Sequence, residues 1–286
     1  MAYSREISRT YKACFVFLLD QSFSMTDPLG GSTEEKKDQL VLAINNWLQN
    51  MAIRATGDEG TKDWMDISVI GYRTDDQGNP IVESALAGPL AGRDLVSIVE
   101  IAENEARSEP RIEKMVDPDT GEEFEMTTDV PVWVDVVAEG GTPMCHAMLK
   151  CHEILSSWIA DNPDSFPPIV IHITDGESQD GDPVPYAESV RALETSDGNV
   201  LLFNCHLSEV PAQPFMFPSR PEVLPDPLAR VLYDMSSDLP ESMIQSARAA
   251  GKDDIEDGAK GMAFNVDIVE LIKFLDMGTR PATVLR

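Results

Sequence analysis

Ala13-Cys14-Phe15-Val16-Phe17-Leu18-Leu19-Asp20-Gln21-Ser22-Phe23-Ser24 decides how this chain folds. Seven apolar residues, rich in aromatic and branched side chains, run without a polar interruption and stop at an aspartate. A strand exposed on one face would alternate apolar with polar residues, whereas a strand covered on both faces reads as one unbroken run. Residues 67–70, 168–173 and 200–206 repeat the pattern, each followed by polar or turn-forming residues.

Helical periodicity fills the gaps between these runs. Leu40, Val41, Ile44, Trp47, Leu48 and Met51 recur at three-and-four spacing, with Ser32 and Glu35 ahead of them in capping-box register. Similar patterns cover about 143–160, 184–195, 228–236, 241–250 and 267–276. Buried strands alternating with helices predict an α/β fold, a Rossmann-like, doubly wound and mostly parallel sheet with helices on both faces.

Two segments interrupt the alternation. Residues 107–136 hold the turn signal Asp117-Pro118-Asp119-Thr120-Gly121 between two apolar-polar stretches, which predicts an inserted β-hairpin. Residues 208–227 carry six prolines around Phe215-Met216-Phe217, too many for a helix or a central strand, and predict an ordered irregular surface loop. That loop is the likelier of the two to touch a partner, because prolines limit the entropy lost on binding and the three large side chains offer apolar area. They would equally serve to pin the loop to its own domain. Without a divisible linker, residues 1–286 read as one domain, with a core of about 13–277.

The chain holds 50 Asp and Glu against 22 Lys and Arg, a formal net charge of −28. No run of basic residues offsets this, so nucleic acid and anionic membranes are not expected partners. The apolar run at 13–19 is too short for a secretory signal and ends at Asp20, and no stretch approaches the roughly 18 apolar residues of a membrane span. Cys14, Cys145, Cys151 and Cys205 lie in or beside apolar stretches without framework spacing. A cytoplasmic protein with reduced thiols is the expectation. Cys145 and His152 share one helical face, yet a zinc site would need more closely paired ligands, and ordinary packing is the simpler account.

The chemistry lies at the ends of the strands. Asp20, Ser22 and Ser24 follow the first run, and Thr174-Asp175-Gly176 follow a later one. Gly140-Gly141-Thr142-Pro143-Met144 opens a helix between them, with Pro143 in its first turn and Thr142 just ahead, where it also suits an N-cap. In an open α/β sheet all three loops converge on the carboxyl edge, where ligands bind. Each piece is weak alone. Together and in this order, D-x-S-x-S, G-G-T-P and T-D-G match the metal-ion-dependent adhesion site (MIDAS), and the sequence here resembles the von Willebrand factor A (vWA) family. Gly258 to Asn265, followed by a helical pattern, resembles the last strand and helix of stand-alone bacterial vWA proteins, some of which accompany phosphatases and kinases in stress-response systems.

The resemblance implies that Ser22, Ser24 and Thr142 ligate a metal through their hydroxyls, Thr142 directly or through water, and that Asp20 and Asp175 act largely through bound waters. An all-oxygen donor set suits a hard cation, Mg²⁺ first and Mn²⁺ or Ca²⁺ next. Three neutral hydroxyls leave such a cation electrophilic and with an open position. The implied function is a binding module that holds an Asp or Glu of a protein partner, as an intracellular adaptor or regulatory component in a bacterial stress-response or defence system.

Many members of the family carry glycine where this chain has Phe23, which is either tucked against the sheet edge or displayed beside the metal. The enzymatic alternative is a metal-dependent phosphohydrolase of haloacid dehalogenase type, which needs D-x-D where this chain has Asp20-Gln21-Ser22. Neither a nucleophile elbow nor a P-loop is present in the sequence, so no catalytic residue is assigned.

Overall fold

The computed structural model describes residues 3–29, 33–58, 60–116, 123–209, 212–249, 255–266 and 270. In chain order the elements are β1 (Ala13–Asp20), α1 (Lys36–Ala55), β2 (Met65–Thr74), β3 (Pro80–Ser84), β4 (Val96–Ser97), α2 (Ile98–Glu103), β5 (Arg107–Val116), β6 (Glu123–Val132), α3 (Met144–Asp161), β7 (Ile169–Thr174), α4 (Val184–Ala192), β8 (Leu201–His206), β9 (Phe215–Met216), α5 (Pro227–Met235), α6 (Glu241–Ala249) and β10 (Met262–Phe264).

The main sheet runs β9-β10-β8-β7-β1-β2-β3, with β4 pairing to the start of β2. Neighbouring strands from β10 to β2 are parallel, and β9, β3 and β4 join antiparallel. The mostly parallel α/β sheet with helices on both faces expected from the sequence is therefore present. All eight residues of β1 are buried. Phe15, Phe17 and Leu19 face a core shared with α1, α2 and α6, whereas Cys14, Val16 and Leu18 face one shared with α3, α4 and α5. That alternation is the period of two of a strand with helices on both sides. Trp47 of α1 anchors the first core, its ring edge-on to Phe15 and Phe17 at centroid distances of 5.6 and 4.7 Å.

Several local expectations are corrected. Helix α1 starts at Lys36 with Glu35 as its N-cap, so Glu35 stands outside the helix and cannot close a capping box; Ser32 lies outside the described residues. Helix α3 starts at Met144 with Pro143 at the cap position, and Thr142 makes no side-chain cap. Its free amides go to Asp180 instead, whose carboxylate accepts from Cys145 N and His146 N, each at 3.0 Å. Strand β2 extends well beyond 67–70, because polar Arg73 and Thr74 continue its pairing with β3. Helix α4 stops at Ala192, short of the expected 195. The expected helix at 267–276 and the turn at 117–121 fall outside the described residues, apart from Glu270.

The expected hairpin is β5 and β6, paired in register from Arg107 opposite Val132 to Val116 opposite Glu123. Among the described residues it pairs with no other strand. Its base is tied down where Asn45 accepts from Trp133 N and Val134 N and donates to Val134 O, at 2.8 to 3.1 Å.

The Pro-rich segment packs Phe215 and Phe217 against its own domain. Phe215 stacks on Phe264 with ring centroids 5.1 Å apart and planes 4° from parallel. Phe217 is buried, with its backbone in the left-handed region at φ 58°, a conformation a bulky residue holds only when its surroundings enforce it. Pairing of β9 with β10 anchors the loop, while Gln213, Pro214, Arg220, Glu222, Val223 and Pro225 stay exposed.

Candidate metal centre

Sequence order reverses direction between β1 and β7: moving one way from β1 the next strands are β2 and β3, moving the other way they are β7, β8 and β10. At such a switch point the loops leaving adjacent strands diverge and leave a crevice at the carboxyl edge. Asp20 ends β1 and Thr174 ends β7, so the first and last motifs face this crevice.

Local folding aims the five expected residues at one place. Ser22 N donates to Asp20 Oδ1 at 2.9 Å, which turns the chain directly after β1. A short 3-10 turn, Phe23–Thr26, then brings Ser24 Oγ to 3.1 Å from Ser22 Oγ. Ser24 Oγ donates to Asp175 Oδ1 at 2.8 Å across the switch point. The loop before α3 is locked by Gly140, at φ 67°, where a Cβ would stand 2.0 Å from Thr74 O. Gly140 O accepts from Phe23 N at 3.0 Å, and Gly141 N donates to Thr74 Oγ1 at 2.7 Å.

Gly176 measures the convergence. A Cβ placed there would lie 3.3 Å from Thr142 Oγ1, 3.7 Å from Ser24 Oγ and 3.9 Å from Asp20 Oδ2. Two loops thus deliver two hydroxyls and a carboxylate to the space that a single methyl group on the third would fill. Asp20, Ser22, Thr142 and Asp175 are all buried and Ser24 is half-buried.

Two carboxylates crowd this edge. Burial, then the neighbouring Asp175, push the Asp20 carboxyl up to about 6, against hydrogen bonds from Ser22 and Thr174 that lower it. An oxygen-only set with two carboxylates fits a hard divalent ion by ligand type. Among the described residues no group of three or more His, Cys, Asp or Glu gathers to hold a metal ion, at this edge or elsewhere, so the hydroxyls are needed to complete the set. Cys145, close to Ser178, and His152, close to Ser156, are not assembled into a metal site.

Two participants, Lys36 and Asp180, were not picked out from the sequence, and a third, Thr174, was read only as part of the T-D-G motif. Lys36, fully buried, places Nζ 2.7 Å from Asp175 Oδ2. Thr174 Oγ1 donates to Asp20 Oδ2 at 2.5 Å. Asp180 holds the start of α3 and is kept below the usual carboxylate range by donors at Cys145 and His146, despite partial burial. Within Glu34-Glu35-Lys36-Lys37-Asp38 a lysine reads as part of a solvated charge run, so the sequence offers no signal for Lys36. Phe23 is displayed, with 67% of its surface exposed beside the two serines.

No protein-family model matches the chain, and no curated protein sequence matches it. Among solved structures it is similar to the vWF domain of the type V pili tip protein Mfa5 from Porphyromonas gingivalis, at 13% identity over 59% of this chain and 39% of that one, with a TM-score of 0.31. It is similar to the ArnB paralog VWA2 from Sulfolobus acidocaldarius at 14% identity, covering 70% and 35% with a TM-score of 0.34. It is also similar to the PilB minor pilin from Streptococcus sanguinis at 10% identity, covering 94% and 61% with a TM-score of 0.41. The chain spans less than two-thirds of each of these structures. The likeness is remote in every case, and the fold assignment rests on the strand order and register described above.

Proposed function

We propose that this chain is a vWA-type binding module that holds an acidic side chain of a partner protein through a divalent cation, Mg²⁺ first, carried by Asp20, Ser22, Ser24, Thr142 and Asp175. The observation that supports it most is the approach of Thr142 Oγ1, Ser24 Oγ and Asp20 Oδ2 to the one small space beside Gly176. A hard cation bound there supplies an open coordination position for a carboxylate. The residues of the chain do the rest. The hydroxyls contribute oxygen without charge, Asp20 and Asp175 offset part of the cation's charge, and the exposed Phe23 ring offers apolar contact beside the bound carboxylate. The role is read as binding rather than catalysis because Ser22 stands where a phosphohydrolase of haloacid dehalogenase type needs its second aspartate. An intracellular adaptor role in a stress-response or defence system follows only from the sequence resemblance and belongs to the same proposal. Among the described residues no helix is long and apolar enough to cross a membrane.

Capture of partners from the native host, repeated with Mg²⁺ and with EDTA, tests the reading. The partner is expected to require the cation and one acidic residue of its own, and Asp20→Ala and Asp175→Asn, the latter leaving Lys36 an oxygen acceptor, should each abolish cation binding in the folded protein. Moderate salt should weaken the complex little, because screening over about 10 Å at 0.1 M relieves repulsion between two acidic proteins. A partner that binds equally in EDTA and is released by salt would defeat the proposal, as would phosphoester turnover lost in Asp20→Asn.

A further inference from the structure

Lys36 stands where a lysine is costly twice over. It is fully buried, and a buried ammonium must be compensated by a partner. It also occupies the first residue of α1, and a cation opposes the helix dipole at that end. Helix stability therefore does not account for it. Three groups face the ammonium: Asp175 Oδ2 at 2.7 Å, Ser24 O at 3.4 Å, and Glu209 Oε1 at 3.4 Å from a side chain that is 65% exposed. The close, buried partner is Asp175.

The two oxygens of Asp175 are consequently divided. Oδ1 accepts from Ser24 Oγ on the side of the hydroxyl cluster, and Oδ2 is held by Lys36 on the other. We infer that Lys36 is a positioning residue that sets the cation specificity of this site, by holding Asp175 Oδ2 so that the carboxylate reaches the ion through Oδ1 alone, directly or through water, and cannot close on it with both oxygens. This rests on the metal-dependent reading above. Ca²⁺ takes six to eight oxygens and draws on bidentate carboxylates to reach that number, whereas Mg²⁺ holds to an octahedron of single oxygens and retains waters. A carboxylate denied its second oxygen favours the smaller ion. Lys36 thus acts from behind the ligand, as groups that orient metal ligands do.

Calorimetric titration of the metal-stripped chain with MgCl₂, MnCl₂ and CaCl₂ tests this. The wild type should bind Mg²⁺ and Mn²⁺ more tightly than Ca²⁺. Lys36→Met and Lys36→Gln, checked for folding by circular dichroism, should narrow the ratio of Ca²⁺ to Mg²⁺ dissociation constants by about tenfold, the scale on which groups behind a ligand tune affinity. Lys36→Arg, which keeps the cation, should hold the wild-type ratio. Folded Met and Gln variants with an unchanged ratio overturn the inference while leaving the proposed function standing. A wild type that binds Ca²⁺ at least as tightly as Mg²⁺ overturns it without any variant. A wild type that binds none of the three overturns the proposed function itself.

Discussion

Thr174 Oγ1 donates to Asp20 Oδ2 at 2.5 Å, joining the last residue of β7 to the last residue of β1 across the switch point of the sheet. This hydrogen bond supports a buried carboxylate that burial alone would drive towards protonation. Thr174→Val keeps the shape and removes the donor. It is expected to cost about 1–3 kcal/mol in metal-free denaturant unfolding, the range for leaving a buried acceptor unpaired, with Thr174→Ser recovering most of it. Equal stability of the Val and wild-type proteins at neutral pH would show that Asp20 does not need this donor.

His172 gives a pH dependence with a definite sign. Burial lowers its pKa from 6.5 to about 4, while Tyr72 and Asn204 hydrogen-bond its two ring nitrogens. Below pH 6.5 the unfolded chain takes up a proton that the native ring refuses, so stability attributable to His172 is lost as pH falls towards about 4. The loss is about 3 kcal/mol at 1.36 kcal/mol per pKa unit. Asp20, raised from 3.8 to about 6, works in the opposite direction over much of the same window. The wild-type curve alone is therefore uninformative, and the stability difference between wild type and His172→Gln, in which Asp20 cancels, should shrink by about 3 kcal/mol from pH 7 to pH 4. A difference that does not change with pH would contradict the assignment.

Gly176→Ala separates folding from cation binding. The added methyl would meet Thr142 Oγ1 at 3.3 Å, a contact the threonine relieves by shifting a few tenths of an ångström. The unfolding free energy should change by less than about 1 kcal/mol, within the range of mild substitutions. Because the methyl occupies the space between Thr142, Ser24 and Asp20, Mg²⁺ affinity should fall by at least about tenfold. Undiminished Mg²⁺ binding would place the ion elsewhere.

Phe217→Ala should lower stability by about 3 kcal/mol or more, the cost of emptying a buried aromatic position. Phe215→Ala, which removes a half-buried ring stacked on Phe264, should cost less. Neither should change partner affinity at a temperature where the variant is folded. Weakened binding with an unaltered unfolding midpoint would restore the view of this loop as a docking surface.

Legibility from sequence followed the source of each signal. Strands β1, β7 and β8 announce themselves because burial on both faces demands an unbroken apolar run, and the three motifs follow because their residues must stand at strand ends. Strands β3 and β4 do not, being short and partly polar. The start of α3 was misread for a different reason. Thr142 is the natural local cap, yet Asp180, distant in sequence, reaches the same amides and leaves the threonine hydroxyl beside Gly176. Lys36 and the inward turn of Phe215 and Phe217 depend on contacts between remote segments, for which spacing along one strand or helix carries no information.

The two ends of the main sheet bear on how the protein behaves when concentrated. At one end, among the described residues, stands β9, two residues long and bracketed by Pro214 and Pro218; at the other stands β3, which opens with Pro80. Proline offers no amide hydrogen to a newcomer, and so short an outer strand leaves few others. A sheet with long bare margins invites a second copy to add itself and a third after it, which is how filaments begin. Here the main sheet offers little template at either margin, so backbone-to-backbone addition of a second copy is directed to the hairpin β5–β6, whose ten-residue strands pair with no other strand among the described residues.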